Sequence, residues 1–220
     1  SNKVITIIII TPKTENPIIY DGERMVEAKH INGYLLNAPD IYISPRKKPL
    51  CDVPAMHNGN VPLDGDALKI EANDIHLFDN CKHFIKKLIG GRELLHNESR
   101  YVLWLVNASP NDIKKYPQIF RRVELCRENR LAMKDKETRK LADTPTVFRD
   151  TLNPKDYIAI PLVSSERRKY IPMMYFHDDT IPTNQVQIIT NTSLYHFGIL
   201  NSNVHMAWMR AVCGRLKSDY

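Results

Sequence analysis

The run RYVLWLV at residues 100–106 constrains the fold of this chain more than any other stretch. It is apolar, rich in β-branched and aromatic side chains, and followed by Asn-Ala-Ser-Pro, which reads as a strand in a hydrophobic core. A core strand needs partners. Residues 156–163, 169–176 and 185–190 are strand-like and separated by short polar turns, as in a meander, so a mostly antiparallel sheet is expected. Residues 3–10, KVITIIII, suit a strand covered on both faces, with NPIIY at 16–20 as the nearby hairpin partner. That run is far too short to span a bilayer, and no small-residue cleavage site follows it.

Helix signals fill the gaps. SPND at 109–112 starts a helix: Ser109 caps, Pro110 takes the first turn and Asp112 stands three residues on. From 117 to about 141 the pattern is one long charged helix. It sets Arg121, Arg122, Arg127, Arg130, Lys134, Lys136, Arg139 and Lys140 against Glu124, Glu128, Asp135 and Glu137. Such a helix is either a solvated face laced with i, i+4 pairs or a phosphate-facing one. Shorter helices are expected at 21–31 and 79–88, the second broken by Gly90-Gly91, and the Pro-, Gly- and Asn-dense stretch 37–68 reads as a long ordered loop or linker. At the C-terminus Val204, Ala207, Trp208, Ala211, Val212 and Leu216 recur at helical spacing. This predicts an amphipathic helix that buries Trp208 and turns Arg210, Arg215 and Lys217 elsewhere, and Trp104 and Tyr195 are also expected in the core. The fold class is therefore α/β in composition and α+β in arrangement: an antiparallel sheet, a long charged helix and a C-terminal amphipathic helix.

The 220 residues are 43% apolar and 25% charged, a globular composition with a net charge of +6 that modestly favours polyanionic partners. Cys51, Cys81, Cys126 and Cys213 lie far apart with no Cys-x-x-Cys pair, as expected of reduced thiols in a cytoplasmic protein. His76, Cys81 and His83 lack the second pair that a zinc site takes. Catalytic patterns are missing. Among eight glycines there is no phosphate loop, and neither a nucleophile elbow nor His-Glu-x-x-His is present. A metal-dependent nuclease assembled from Pro39-Asp40 and Asp112-Ile113-Lys114 would need residues too far apart for adjacent strands of one small site. Asn16-Pro17-Ile18-Ile19-Tyr20 lacks the second proline of the motif that grips a flipped adenine. No catalytic and no metal residue is assigned.

Binding chemistry is present. SSERRKYIP at 164–172 concentrates hydroxyls and cations between two strands, and Ser164, Ser165, Arg167 and Arg168 are candidates for the phosphate backbone. A similar mix occurs at 138–146, with Arg139 and Lys140, and in the tail, with Arg215 and Lys217. Asn184, Gln185 and Gln187 lie at or near a strand, and amides can pair with adenine in the major groove. The bland alternatives are an exposed polar hairpin and solvated amides.

Taken together, RKKPLCDVPAMHNGN (46–60), RYVLWLVNASP (100–110), TRKLADTPTVF (138–148), VSSERRKYIP (163–172), LYHFGILNSNVHMAW (194–208) and RAVCGRLKSDY (210–220) resemble the target-recognition region of MmeI-like single-chain restriction-modification enzymes, in the family's order and over nearly the whole chain. The resemblance implies a DNA-reading module with residues 1–20 trailing from a preceding S-adenosylmethionine-dependent adenine methyltransferase domain. Residues 21–78 would connect, and 79–220 would form the recognition domain and run into a further C-terminal segment. It implies double-stranded DNA, the methyltransferase domain and that segment as partners, no membrane, and no cofactor in these residues. Specificity would come from alternate side chains of one strand, Thr183, Gln185 and Gln187 or the offset set beginning with Asn184. Phosphate contacts would come from Ser164, Ser165, Arg167 and Arg168, joined by Arg139, Lys140, Arg210, Arg215 and Lys217. The parent would methylate adenine; whether it also cuts DNA is open in these residues. Two other classes compete: a self-contained metal-dependent nuclease, and an RNA-binding or scaffold protein, although no aromatic-glycine RNA-stacking motif is present.

Overall fold

The structure, a computed structural model, describes residues 16–33, 35–46 and 48–214, so the expected strand at 3–10 and the cations Arg215 and Lys217 lie outside the described residues. The chain divides into two compact units, residues 1–53 with 203–220, and residues 54–202. In the first unit β1 (Ile18–Asp21) pairs antiparallel with β2 (Arg24–Glu27). This hairpin stands where a helix is expected at 21–31. The reason is local: Asp21 opposes Arg24, and Gly22, at φ +62°, takes the first turn position, where a type II′ hairpin uses glycine.

The second unit holds two four-stranded sheets. Its elements run β3 (Met56–Asn58), β4 (Lys69–Glu71), a 3-10 segment (Ala72–Phe84), β5 (Ile85–Ile89), α1 (Gly91–His96) and β6 (Arg100–Leu103). There follow α2 (Pro110–Lys115), α3 (Pro117–Leu131), α4 (Lys136–Lys140), β7 (Tyr157–Pro161), β8 (Met174–Phe176), β9 (Ile181–Pro182), β10 (Val186–Thr190) and α5 (Leu194–Leu200). The first sheet has the order β4-β6-β5-β9 and the second β3-β10-β7-β8; every pairing is antiparallel except β5 with β9. The core strand expected at 100–106 is found over its first four residues as β6, in the middle of the first sheet, and residues 104–106 leave the ladder.

Of residues 79–88, expected as one helix, only 79–84 are helical. Their first part belongs to the 3-10 segment, kinked at Phe78 and Cys81, both buried, and their second part is β5, sandwiched between β6 and β9. Ladder pairing on two sides outweighs the weak local helix preference. Gly90 follows as the N-cap of α1. The long charged helix also divides. α3 stops at Leu131, and Asp135 starts α4 anew, its carboxylate accepting from the Thr138 backbone N–H and hydroxyl. The meander is likewise replaced: β10 pairs with β7 on the edge opposite β8, and the chain visits the first sheet as β9 on the way.

α3 covers the first sheet through Ile119, Val123 and Cys126, which join Leu68, Ile70, Val102, Leu103, Leu105 and Phe148 in the main core. Ile89, Leu94, Tyr157, Ala159, Val186 and Ile188 form a second cluster on one face of the second sheet. Trp104 is half-buried, edge-on to Phe148. Tyr195 is 73% exposed, against its expected place in the core. The last described helix, α6 (Asn203–Val212), belongs to the first unit and turns the opposite way to expectation. Met206 is buried, whereas Trp208 is 53% exposed and Val204 80%. Both stripes are apolar, and helical spacing does not say which one is covered. Among the described residues no helix is long and apolar enough to cross a membrane.

Candidate nucleic-acid interface

The register of the second sheet collects three segments at one end. Val186, the first residue of β10, opposes Pro161, the last of β7, and Gln187 opposes Asn58, the last of β3. The polar loop 162–173, the turn 183–185 and residues 58–60 therefore leave the sheet together. The turn is held tightly. The Thr183 N–H donates to Ile89 O at 2.8 Å, Asn184 N–H to Asn60 O at 2.7 Å, and Val186 N–H to Thr183 O at 3.1 Å. Asn60 is fully buried: its amide nitrogen donates to Leu152 O and Pro182 O, and its Oδ1 accepts from Leu152 N–H. These bonds anchor the crossing from β9 in the first sheet to β10 in the second.

The crossing sorts the expected base readers. Thr183 is 4% exposed, and its hydroxyl accepts from the Gln185 N–H, so it faces inward. Asn184 and Gln185 are exposed, and Gln187 is half-buried on the strand face opposite buried Val186 and Ile188. Gly90 lies behind Gln185. A Cβ there would stand 2.8 Å from Gln185 Oε1 and Glu93 Oε2 and 2.9 Å from Thr183 Oγ1.

In the loop after β7, residues 165–168 form a turn in which Arg168 N–H donates to Ser165 O and Arg167 N–H to Ser165 Oγ. Arg167 is exposed and Arg168 half-buried; neither forms an ion pair among the described residues. Ser164, by contrast, is buried with its Oγ unpartnered in the structure. Buried Ile171 pins the far end of the loop.

Beside the turn lies a cleft of about 170 Å³, lined by Pro62, Leu63, Asp64, Gly65, Asp66, Lys69, Arg100, Thr183, Asn184 and Gln185. Its wall is a left-handed run, with Leu63 at φ +47°, Gly65 at +61° and Asp66 at +66°, costly for a leucine and persistent only where the surroundings over-determine it. Those surroundings are the end of α3. Arg130, fully buried, gives Nε to Leu63 O, Nη1 to Leu141 O and Thr144 O, and Nη2 to Pro62 O and Val147 O; Asn129 donates to Asp64 O. The opposite wall is charged. Arg100 donates through Nε to buried Glu93, whose other oxygen accepts from Gly90 N–H. Burial pulls the Arg100 guanidinium down, but the Glu93 hydrogen bond and the Glu93, Glu71 and Asp66 charges together hold it above its ordinary value. Lys69 pairs with Asp66.

Within this unit, two other expected phosphate contacts are not gathered here. Arg139 lies on α4, and its Nη1 donates to Met133 O and Lys134 O, closing the break after α3; Lys140 pairs with Glu137. Arg210 belongs to the first unit, where it is exposed on α6. Arg130, expected among the surface cations, is instead the internal clamp. Sequence reasoning missed Asn58, Asn60, Lys69 and Arg100 at this end of the molecule. The turn residues of VPLDGD were a usable signal for the cleft wall, but nothing local marks Asn58 or Asn60. The residues of the nuclease alternative have other partners: Asp112 closes the α2 capping box with Ser109, and Asp40 pairs with His30. Among the described residues no three His, Cys, Asp or Glu side chains are placed to hold a metal ion.

Comparison with known proteins agrees with this architecture. Residues 37–220 match the family model described as MmeI, target recognition domain. DNA methyltransferase A of Bacillus subtilis (strain 168) is 39% identical over 210 residues, which are 93% of this chain and 24% of that protein. The structure of the type IIL restriction-modification enzyme MmeI in complex with DNA superposes with a TM-score of 0.77 at 32% identity, covering 95% of this chain and 29% of that one. This chain thus spans about a quarter of the length of these relatives. With the match running across both sheets, α3 and the polar loop, the chain belongs to the MmeI target recognition domain family.

Proposed function

We propose that this chain reads the sequence of double-stranded DNA for a larger methyltransferase of the restriction-modification type, and itself carries out no chemistry. The observation that supports it best is the convergence, at one end of the second sheet, of an arginine-bearing loop with the exposed amides of Asn184 and Gln185 and the half-buried amide of Gln187. In this reading Arg167 and Arg168 meet phosphates and Ser165 shapes the turn that presents them, while the amides meet base edges, where a side-chain amide can bond both N6 and N7 of adenine. Thr183 and Ser164, both buried, set the turn and the loop from inside. Arg139 supports α4, and Lys140 and Arg210 contribute positive charge. Residues 1–20 would trail from a methyltransferase domain that binds S-adenosylmethionine and methylates the exocyclic amine of an adenine flipped from the duplex.

The test is selection from a randomised duplex library at moderate salt, with RNA as competitor and sequencing of the retained DNA. An enriched asymmetric motif is the expected result. Retention that depends on salt but selects no motif would make the chain a general backbone binder, and displacement by RNA would favour the RNA-binding alternative.

A further inference from the structure

The Gln187 amide does not stand alone. Its Nε2 donates to Oδ1 of Asn58 at 2.5 Å, between residues that oppose each other in the β10–β3 register although 129 positions separate them in the chain. Asn58 is exposed and Gln187 half-buried. As direct cross-strand partners they share the strand face opposite Val186 and Ile188.

We infer that Asn58 and Gln187 form a single two-residue reader, in which Asn58 fixes the orientation of the Gln187 amide and shares its readout of one base pair; this rests on the reading that the β10 amides face DNA. A free glutamine can turn its terminal amide over and exchange donor for acceptor, so by itself it specifies the order of groups on a base edge weakly. With one N–H committed to Asn58 Oδ1, Gln187 presents Oε1 and its second N–H in a set order. That order suits adenine, which offers a donor at N6 beside an acceptor at N7. The Asn58 Nδ2 hydrogens add donors alongside. Ordering the pair before DNA arrives also removes part of the side-chain entropy lost on binding.

The experiment compares motifs selected from a randomised duplex library by the full chain and by its Asn58→Ala, Gln187→Ala, double and Asn58→Asp variants, with folding checked by thermal melting. Asn58→Ala is expected to relax preference at the same base pair as Gln187→Ala, by about five- to tenfold, and the double variant to lose less than the two single losses combined. Asn58→Asp keeps the acceptor for Gln187 and should retain more base preference than Asn58→Ala, even though its charge weakens all duplexes alike. A purely structural pair would shift melting or overall affinity without moving preference at one position. If Gln187→Ala relaxes a position that Asn58→Ala leaves untouched, or if the alanine and aspartate variants lose preference equally, the two-residue reader is overturned while β10 readout stands. If no variant alters any position, or the wild type selects no motif, β10 readout fails and takes the inference with it.

Discussion

At the scale of single residues, Arg130 shows how a surface-looking charge becomes a structural part. Its planar fork has five N–H donors, and all five find backbone carbonyls from three separate stretches, 62–63, 141–144 and 147. Arg130→Met should therefore cost at least about 3 kcal/mol, because it leaves buried carbonyls unpaired, whereas Arg127→Met on the exposed side of the same helix should stay within about 0.5 kcal/mol. Urea denaturation of both variants measures the difference. Cys126 is one turn away, and burial pushes its thiol up to about 11 although the Arg130 charge pulls the other way. Alkylation of the native protein at mildly basic pH should mark exposed Cys51 and spare Cys81 and Cys126 until the chain unfolds.

At the scale of elements, local signals and contacts between distant segments compete, and the outcome is visible element by element. The SPND start of α2 is legible because all its partners lie within three residues: Ser109 Oγ accepts from Asp112 N–H, and the Asp112 carboxylate accepts from Ser109 in return. That bonding holds the Asp112 carboxyl below its ordinary value of 3.8, and the Thr138 hydroxyl and N–H do the same for Asp135. Both folded values are depressed, so the stability they bring is fully present above about pH 4 and is lost as pH falls through the lowered values. A fall in urea midpoint between about pH 6 and about pH 3 is expected, and it should be smaller in the Asp112→Asn, Asp135→Asn double variant. Residues 79–88 misled for the opposite reason: β5 is a strand because β6 and β9 flank it, and no neighbour in sequence says so. Gly59 marks where the crossing turn meets the second sheet. A Cβ there would stand 2.4 Å from the Thr183 carbonyl oxygen, a backbone atom that cannot swing aside. Gly59→Ala should cost about 1–3 kcal/mol and more than Gly90→Ala, whose clashes are with side-chain ends, as thermal melting of both variants would show.

At the scale of the whole molecule, under the proposed function the surplus of +6 and the cations of one loop would act on DNA through counterion release. Reversing Arg167 and Arg168 together should weaken binding to every duplex and lower the slope of log affinity against log salt by about 1–2, which titration at several salt concentrations would measure. Unchanged binding would remove both from the phosphate contacts. A substitution at Gln185 or Gln187 should instead change which sequences are bound and leave the salt slope as it was.

By itself the sequence determined the core strand that begins at Arg100, the capped start of α2, strands within 156–163 and 185–190, and the motifs that mark the family. These rest on side-chain period, turn chemistry and capping geometry, all set within a few residues of chain. Tertiary structure alone decided which strand lies beside which, which apolar stripe of α6 is covered, which of many similar cations is buried, and that Gln187 meets Asn58. Each of those outcomes depends on groups that are far apart in the chain and close in space. A period shows that a face exists, but only the neighbouring sheet, helix or loop determines what that face must bond to and whether water still reaches it.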